Sequence, residues 1–209
     1  MNAGFRPNRR DTMKSLTALG ATTALGGWGL LANAQTPLTV GVIYVGPRDD
    51  YGYNQAQAQA AAELRKMPGI KVVEEENVPE TAAVQKTMTG MIAQDGAKLL
   101  FPTSFGYFDP HILALAAKNP EVRFAHCGGM WTEGKHPKSV GSYFGYIDEC
   151  QYLNGVVAGH MTKSNKIAFV AAKPIPQVLR NINAFLMGAR SVKPGITCSV
   201  IFTGDWSMA

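Results

Sequence analysis

The chain has 209 residues, with 20 Lys+Arg against 15 Asp+Glu and a formal net charge of +5. Much of that excess sits in the first 34 residues, where Arg6, Arg9, Arg10 and Lys14 face only Asp11, so residues 35–209 carry 16 basic against 14 acidic groups. So even a balance, with no basic stripe interleaved with aromatics, argues against nucleic acid as a partner.

Arg9 and Arg10 precede an apolar stretch rich in Gly and Ala, Leu16 to Leu31, and Ala32-Asn33-Ala34 then supplies small residues at a cleavage site. This three-part layout predicts an export signal over residues 1–34, cut before Gln35. The run Arg9-Arg10-Asp11-Thr12-Met13-Lys14 fits a twin-arginine signal, whereas translation starting at Met13 would suit the general secretory route. The stretch is short and, with its Gly and Thr content, too polar for a membrane span. No cysteine occupies the cleavage site, which predicts a soluble periplasmic protein rather than a lipid-anchored one.

The remaining residues alternate between strand and helix patterns. Leu38 to Val45 reads as a buried strand, followed by a polar loop from Gly46 to Tyr53. An Ala-rich helix is predicted from about Asn54 to Lys66, with Ala56, Ala60, Ala61 and Leu64 as its apolar face. Ile70 to Val73 is a second strand, and a helix from about Glu80 carries Val84, Met88, Met91 and Ile92 at helical spacing. Lys98 to Phe101 is a third strand, after which Asp109-Pro110 predicts an N-cap and a first-turn proline. Strands follow at Val122–His126 and Ser139–Tyr146. A helix from about Glu149 to Thr162 sets Leu153, Val156, Val157 and His160 on one face, with His160 expected as a hydrogen-bonded core histidine. Lys166–Ala172, Pro176–Arg190 and Ile196–Thr203 complete the series as strand, helix and strand. Such alternation predicts right-handed βαβ crossovers and parallel sheets covered by helices, an α/β fold.

A new βαβ series begins near Tyr146–Gln151, so the expected organisation is a signal over 1–34, an α/β lobe over 35–147, and a hinge helix with a partial second lobe over 148–209. The last predicted strand has no helix after it, which leads us to expect a second lobe cut short. The three cysteines, Cys127, Cys150 and Cys198, allow either a Cys127–Cys150 disulfide or three free thiols.

In an open parallel sheet, ligands bind beyond the carboxyl ends of the strands. The loops there carry Asp50, Tyr51, Tyr53 and Asn54 after the first strand, Ser104, Phe105, Gly106 and Tyr107 after the third, and His126 at the end of the fourth. Rings, amides and Gly-exposed backbone suit a small, planar, hydrogen-bonding ligand, and each ring stack would contribute about 0.5–1.5 kcal/mol beyond burial. Enzyme signatures are missing: Gly41, Gly46 and Gly52 are too widely spaced for a dinucleotide turn, and no Gly-x-Ser-x-Gly elbow occurs. The four histidines lack metal-ligand spacing. No catalysis, cofactor or metal is expected.

The segment Val42-Ile43-Tyr44-Val45-Gly46-Pro47, with Asp50-Tyr51-Gly52-Tyr53-Asn54-Gln55 after it, resembles the opening of the basic membrane protein (BMP) family. These are PnrA-like substrate-binding proteins of ABC transporters and include purine nucleoside receptors. Pro102 to Tyr107, Tyr152 to Ala158, and Ile175-Pro176-Gln177-Val178 with Asn183-Ala184-Phe185 and Gly188-Ala189 extend the resemblance from Leu38 to the last residues. It implies a type I periplasmic-binding-protein fold: two Rossmann-like lobes with parallel sheets closing on a purine nucleoside or nucleobase, the second lobe truncated here. It also implies an ABC permease in the inner membrane as partner, and we expect a monomer. By position, Asp50, Tyr51, Tyr53, Asn54 and the Ser104–Phe105–Gly106 loop would line the first lobe's side of the cleft. Asn181 stands where several nucleoside binders carry an aromatic. With second-lobe contacts missing, we expect weak or no solute binding by these 209 residues, because closure needs contacts from both lobes. A ligand sensor feeding a membrane receptor, or an exported enzyme acting on a nucleoside, are the competing readings.

Overall fold

The computed structural model describes residues 36–206; the export-signal reading, residues 1–34, lies outside them. Seven strands are laid out as β1 (Leu38–Ile43), β2 (Ile70–Glu75), β3 (Leu99–Pro102), β4 (Arg123–Cys127), β5 (Val140–Tyr143), β6 (Lys166–Ala171) and β7 (Thr197–Phe202). Between them run α1 (Tyr53–Arg65), α2 (Ala82–Ala93), α3 (Leu113–Lys118), α4 (Asp148–Met161) and α5 (Pro176–Val192). The first five strands form one sheet in the order β2-β1-β3-β4-β5, and β6 pairs with β7 in a second. Every pairing is parallel, as strand–helix alternation demands.

β1 alternates its two faces between two cores. Val40, Val42 and Tyr44 pack with Ala61 under α1, while Ile43 joins Met88, Leu100, Phe108, Ile112 and Phe124 under α2 and α3. On α2 the sequence-predicted residues Val84, Met88 and Met91 are buried and Ile92 is half-buried. The Thr81 hydroxyl caps this helix by accepting from the Ala83 amide at 3.3 Å, which satisfies one orphan donor of the first turn.

Several sequence expectations are corrected. On α1 the expected Ala61 is buried and Leu64 packs against the same core, but Ala56 and Ala60 are exposed and Asn54 is buried. Among so many alanines little bulk distinguishes one face from another, which is why the expected face holds only at Leu64 and its neighbour Ala61. Asp109 is not an N-cap: it is extended (φ −120°, ψ 124°) inside a π-helical turn, Phe108–Ile112, and makes no capping bond. Its extended backbone is the conformation that the residue before a proline favours, and regular helix begins only at Leu113. On α4 the expected inner face is outside. Leu153 and Val157 are 64% and 61% exposed, and His160 is exposed rather than a core residue. The buried face is Gly155 and Gly159, against Gly188 and Ala189 of α5. All three cysteines are free, with Cys127 buried at the end of β4 and Cys150 exposed, so no Cys127–Cys150 disulfide forms.

Candidate functional site

The chain leaves β1 toward β2 on one side and leaves β3 toward β4 on the other. Their carboxyl ends therefore diverge, and loops on either side of this switch point leave a crevice. A cavity of about 220 Å³ opens there. Its floor is Val45, Asp50, Tyr53 and Asn54 after β1, Ser104 and Phe105 after β3, and Cys127 and Gly128 at β4. The opposite wall brings Ile175, Gln177, Val178 and Asn181 from the start of α5, with Phe144, Ile147 and Trp206.

Each floor residue is held by a specific bond. The Asp50 carboxylate organises the start of α1. Its Oδ1 accepts from the Gly52 and Gln55 amides, both at 2.9 Å, and its Oδ2 accepts from the amide (3.0 Å) and side chain (2.9 Å) of Asn54. Burial alone would raise the pKa of Asp50, but those donors outweigh it and hold the carboxyl below its ordinary value. Asp50 is thus a helix-starting anion with its acceptors occupied. Tyr53 donates its hydroxyl to the Thr103 carbonyl, joining the loops after β1 and β3. Ser104 donates to Glu80 Oε1 at 2.6 Å, and the Gly106 amide reaches the same oxygen at 2.8 Å.

Of the sequence-predicted site residues, Asp50, Tyr53, Asn54, Ser104 and Phe105 meet at the cavity. Tyr51 does not; it is 96% exposed, in a left-handed conformation (φ 53°). Gly106 turns its amide to Glu80. Tyr107 is buried in the core with its hydroxyl donating to the Val78 carbonyl at 2.5 Å. His126 lies one layer behind the lining, 0% exposed, with Nε2 2.9 Å from the Ser104 carbonyl. A carbonyl partner makes Nε2 the protonated nitrogen. Sequence reading missed the opposite wall. Ile175-Pro176-Gln177-Val178 was legible as a helix start, but nothing local said that it faces the β4 loop. Gln177 Nε2 donates to the Gly128 carbonyl across that gap.

Two acceptor oxygens of cavity-lining residues, Asn54 Oδ1 and Gln177 Oε1, are buried without a partner. The Trp206 indole N–H instead lies within reach of Glu80, whose carboxyl it helps to hold below its ordinary value. Unpaired buried polar atoms are costly and rare. Among the described residues Asp50 is the only carboxylate in the lining, and its oxygens are engaged. Among the described residues no group of His, Cys, Asp or Glu is arranged to hold a metal ion.

His126 gives the site a pH dependence. Burial pushes its pKa below the ordinary 6.5, against smaller upward effects from the backbone of Ser104 and Phe105. The unfolded chain therefore takes this proton at higher pH than the folded one. The corresponding stability is complete above about pH 6.5 and lost as pH falls through the folded value. Melting temperature should decline on acidification from pH 6.5 to about 5, a window above the ranges of Asp50 and Glu80, whose values are also lowered. In His126→Gln, which keeps a donor for Ser104, that part of the decline should vanish.

Residues 38–209 match the family described as ABC transporter substrate-binding protein PnrA-like (Bmp). The chain belongs to this family. It is 37% identical over 188 residues to the purine-binding protein of Brucella abortus, covering 89% of this chain and 52% of that protein. It is 42% identical over 114 residues to a Haloferax volcanii protein that bears the name of an ABC transporter glucose-binding protein, covering 54% of this chain and 28% of that one. A solved solute-binding protein of an ABC transporter system from Aeropyrum pernix superimposes with a TM-score of 0.66 at 24% identity, over 80% of this chain and 48% of that one. The fold of this PnrA-like chain is thus the α/β fold of solute-binding proteins, and the chain spans about half the length of the Brucella relative. Among the described residues no helix is long and apolar enough to cross a membrane.

Proposed function

We propose that this PnrA-like chain belongs to an exported receptor that captures a purine nucleoside or nucleobase and presents it to an ABC permease in the inner membrane. In this reading residues 35–147 and 148–209 are parts of two lobes, and the cavity at the switch point is the solute site. The observation that carries it is the lining: Phe105, Phe144 and Trp206 offer aromatic surface beside the amide side chains of Asn54, Gln177 and Asn181, and the carboxylate of Asp50 has its oxygens occupied. That chemistry suits a neutral planar ring with N–H donors and a ring-nitrogen acceptor. The Brucella relative's name points the same way. A sugar would offer hydroxyls to the same atoms but gain less from the rings.

Saturation-transfer difference NMR with adenosine, guanosine, hypoxanthine and glucose registers weak as well as tight binding. A response from the purines that glucose does not compete away is expected. Phe105→Ala should weaken it by about 1 kcal/mol, roughly fivefold, with little change in melting temperature. A response to glucose that the purines do not compete away overturns the purine assignment.

A further inference from the structure

Beside the cavity, one carboxylate joins the two sheets. Glu80 precedes α2 and is half-buried, with 17% of its side chain exposed. Its Oε1 accepts from Ser104 and Gly106 of the loop that carries Phe105. Its Oε2 accepts from Lys173 Nζ at 3.0 Å, and Lys173 lies in the loop after β6. That ammonium also stands 3.9 Å from Asp205 Oδ1 and 5.2 Å from the centre of the Trp206 ring. Asp205 Oδ1 in turn accepts the Trp206 amide at 2.7 Å. The chain of contacts therefore runs from the Phe105 platform through Glu80 and Lys173 to the indole on the opposite wall.

We propose that the Glu80–Lys173 pair is the positioning element of the cleft, setting Phe105 and Trp206 as two facing walls and holding the β6–β7 layer against the five-stranded sheet. The geometry supports this beyond what an ordinary surface pair would, because each partner is fixed by further contacts. Glu80 has two donors on its own sheet, and Lys173 has a carboxylate and an indole face on the other. A fixed, partly buried carboxylate with charged and neutral donors is held more strongly than an exposed one. Burial would raise the pKa of Glu80, yet the Ser104 hydroxyl, Lys173, the Gly106 amide and the Trp206 indole N–H hold it below its ordinary value. The carboxylate is thus charged at neutral pH.

The test needs no solute, so it succeeds or fails independently of the purine reading. The full chain is labelled with 5-fluorotryptophan, and the 19F resonance of Trp206 is assigned by its loss in Trp206→Phe. Lys173→Met should move that resonance and sharpen it toward a solvent-exposed position, whereas Lys173→Arg should leave it near the wild-type position. Glu80→Gln should produce the same displacement and also speed amide exchange at Gly106 by about tenfold or more. A Trp206 resonance unmoved by Lys173→Met overturns the proposal, since Glu80 would then only brace its own loop. The lysine variants decide the matter even if Glu80→Gln fails to fold.

Discussion

Phe108→Ala is expected to destabilise the protein by about 3–5 kcal/mol, the range for emptying a buried aromatic site. Phe108 is 1% exposed and lies in the larger core with Met88, Ile112 and Phe124. Its ring is 5.0 Å from that of His126 and 5.1 Å from that of His136, the second edge-on. The surrounding strands cannot collapse into the space without breaking their ladder. Because His126 bonds the Ser104 carbonyl, the loss should reach the cavity floor as well. Urea denaturation followed by circular dichroism should show the midpoint falling in Phe108→Ala but not in Phe105→Ala. Equal midpoints would mean that the core does not rest on this ring.

Gly155→Val is the second large effect. A Cβ at Gly155 would collide with the Phe185 carbonyl of α5, and one at Gly188 would collide with the Tyr152 carbonyl of α4. The two helices approach through these paired glycines, backbone against backbone, so no side chain can swing aside. We expect a loss of about 3 kcal/mol or more, the upper part of the range for overpacking, confined to the β6–β7 layer and its helices. Hydrogen exchange should show α4 and α5 deprotected while β1 and β3 stay protected. Gly90→Ala is the control, since nothing lies within 4 Å of a Cβ there. It should stabilise α2 by about 0.5–1 kcal/mol. If Gly155→Val melts with the wild type, the close helix crossing is wrong.

The contrast between these sites shows where local pattern is informative. Val84, Met88 and Met91 announced the inner face of α2 because bulky apolar residues at helical spacing have one place to go. On α4 the same logic pointed the wrong way. Leu153 and Val157 outrank Gly155 and Gly159 in hydrophobicity, yet the glycines are inside, because close approach of α5 selects for absence of side chain rather than for apolarity. Asp109 failed for another reason: its extended backbone suits both a cap and a pre-proline position, but the chain after it continues as a π-helical turn and regular helix begins only at Leu113.

At the candidate site the sequence placed Asp50, Tyr53, Asn54, Ser104 and Phe105 at one sheet edge, because loops after parallel strands must gather there. It could not say which atoms were already engaged. Only the folded chain shows Asp50 closed off by its own helix start, Tyr107 turned into the core, and Glu80 joined to Lys173, 93 positions away. Strand and helix order, parallel pairing and the edge that carries the site follow from periodicity and chain connectivity, which are local and written in the residues. Which side chains face the cavity, which polar atoms remain unpaired and how the second wall meets the first depend on contacts between segments far apart in sequence, and packing decided those.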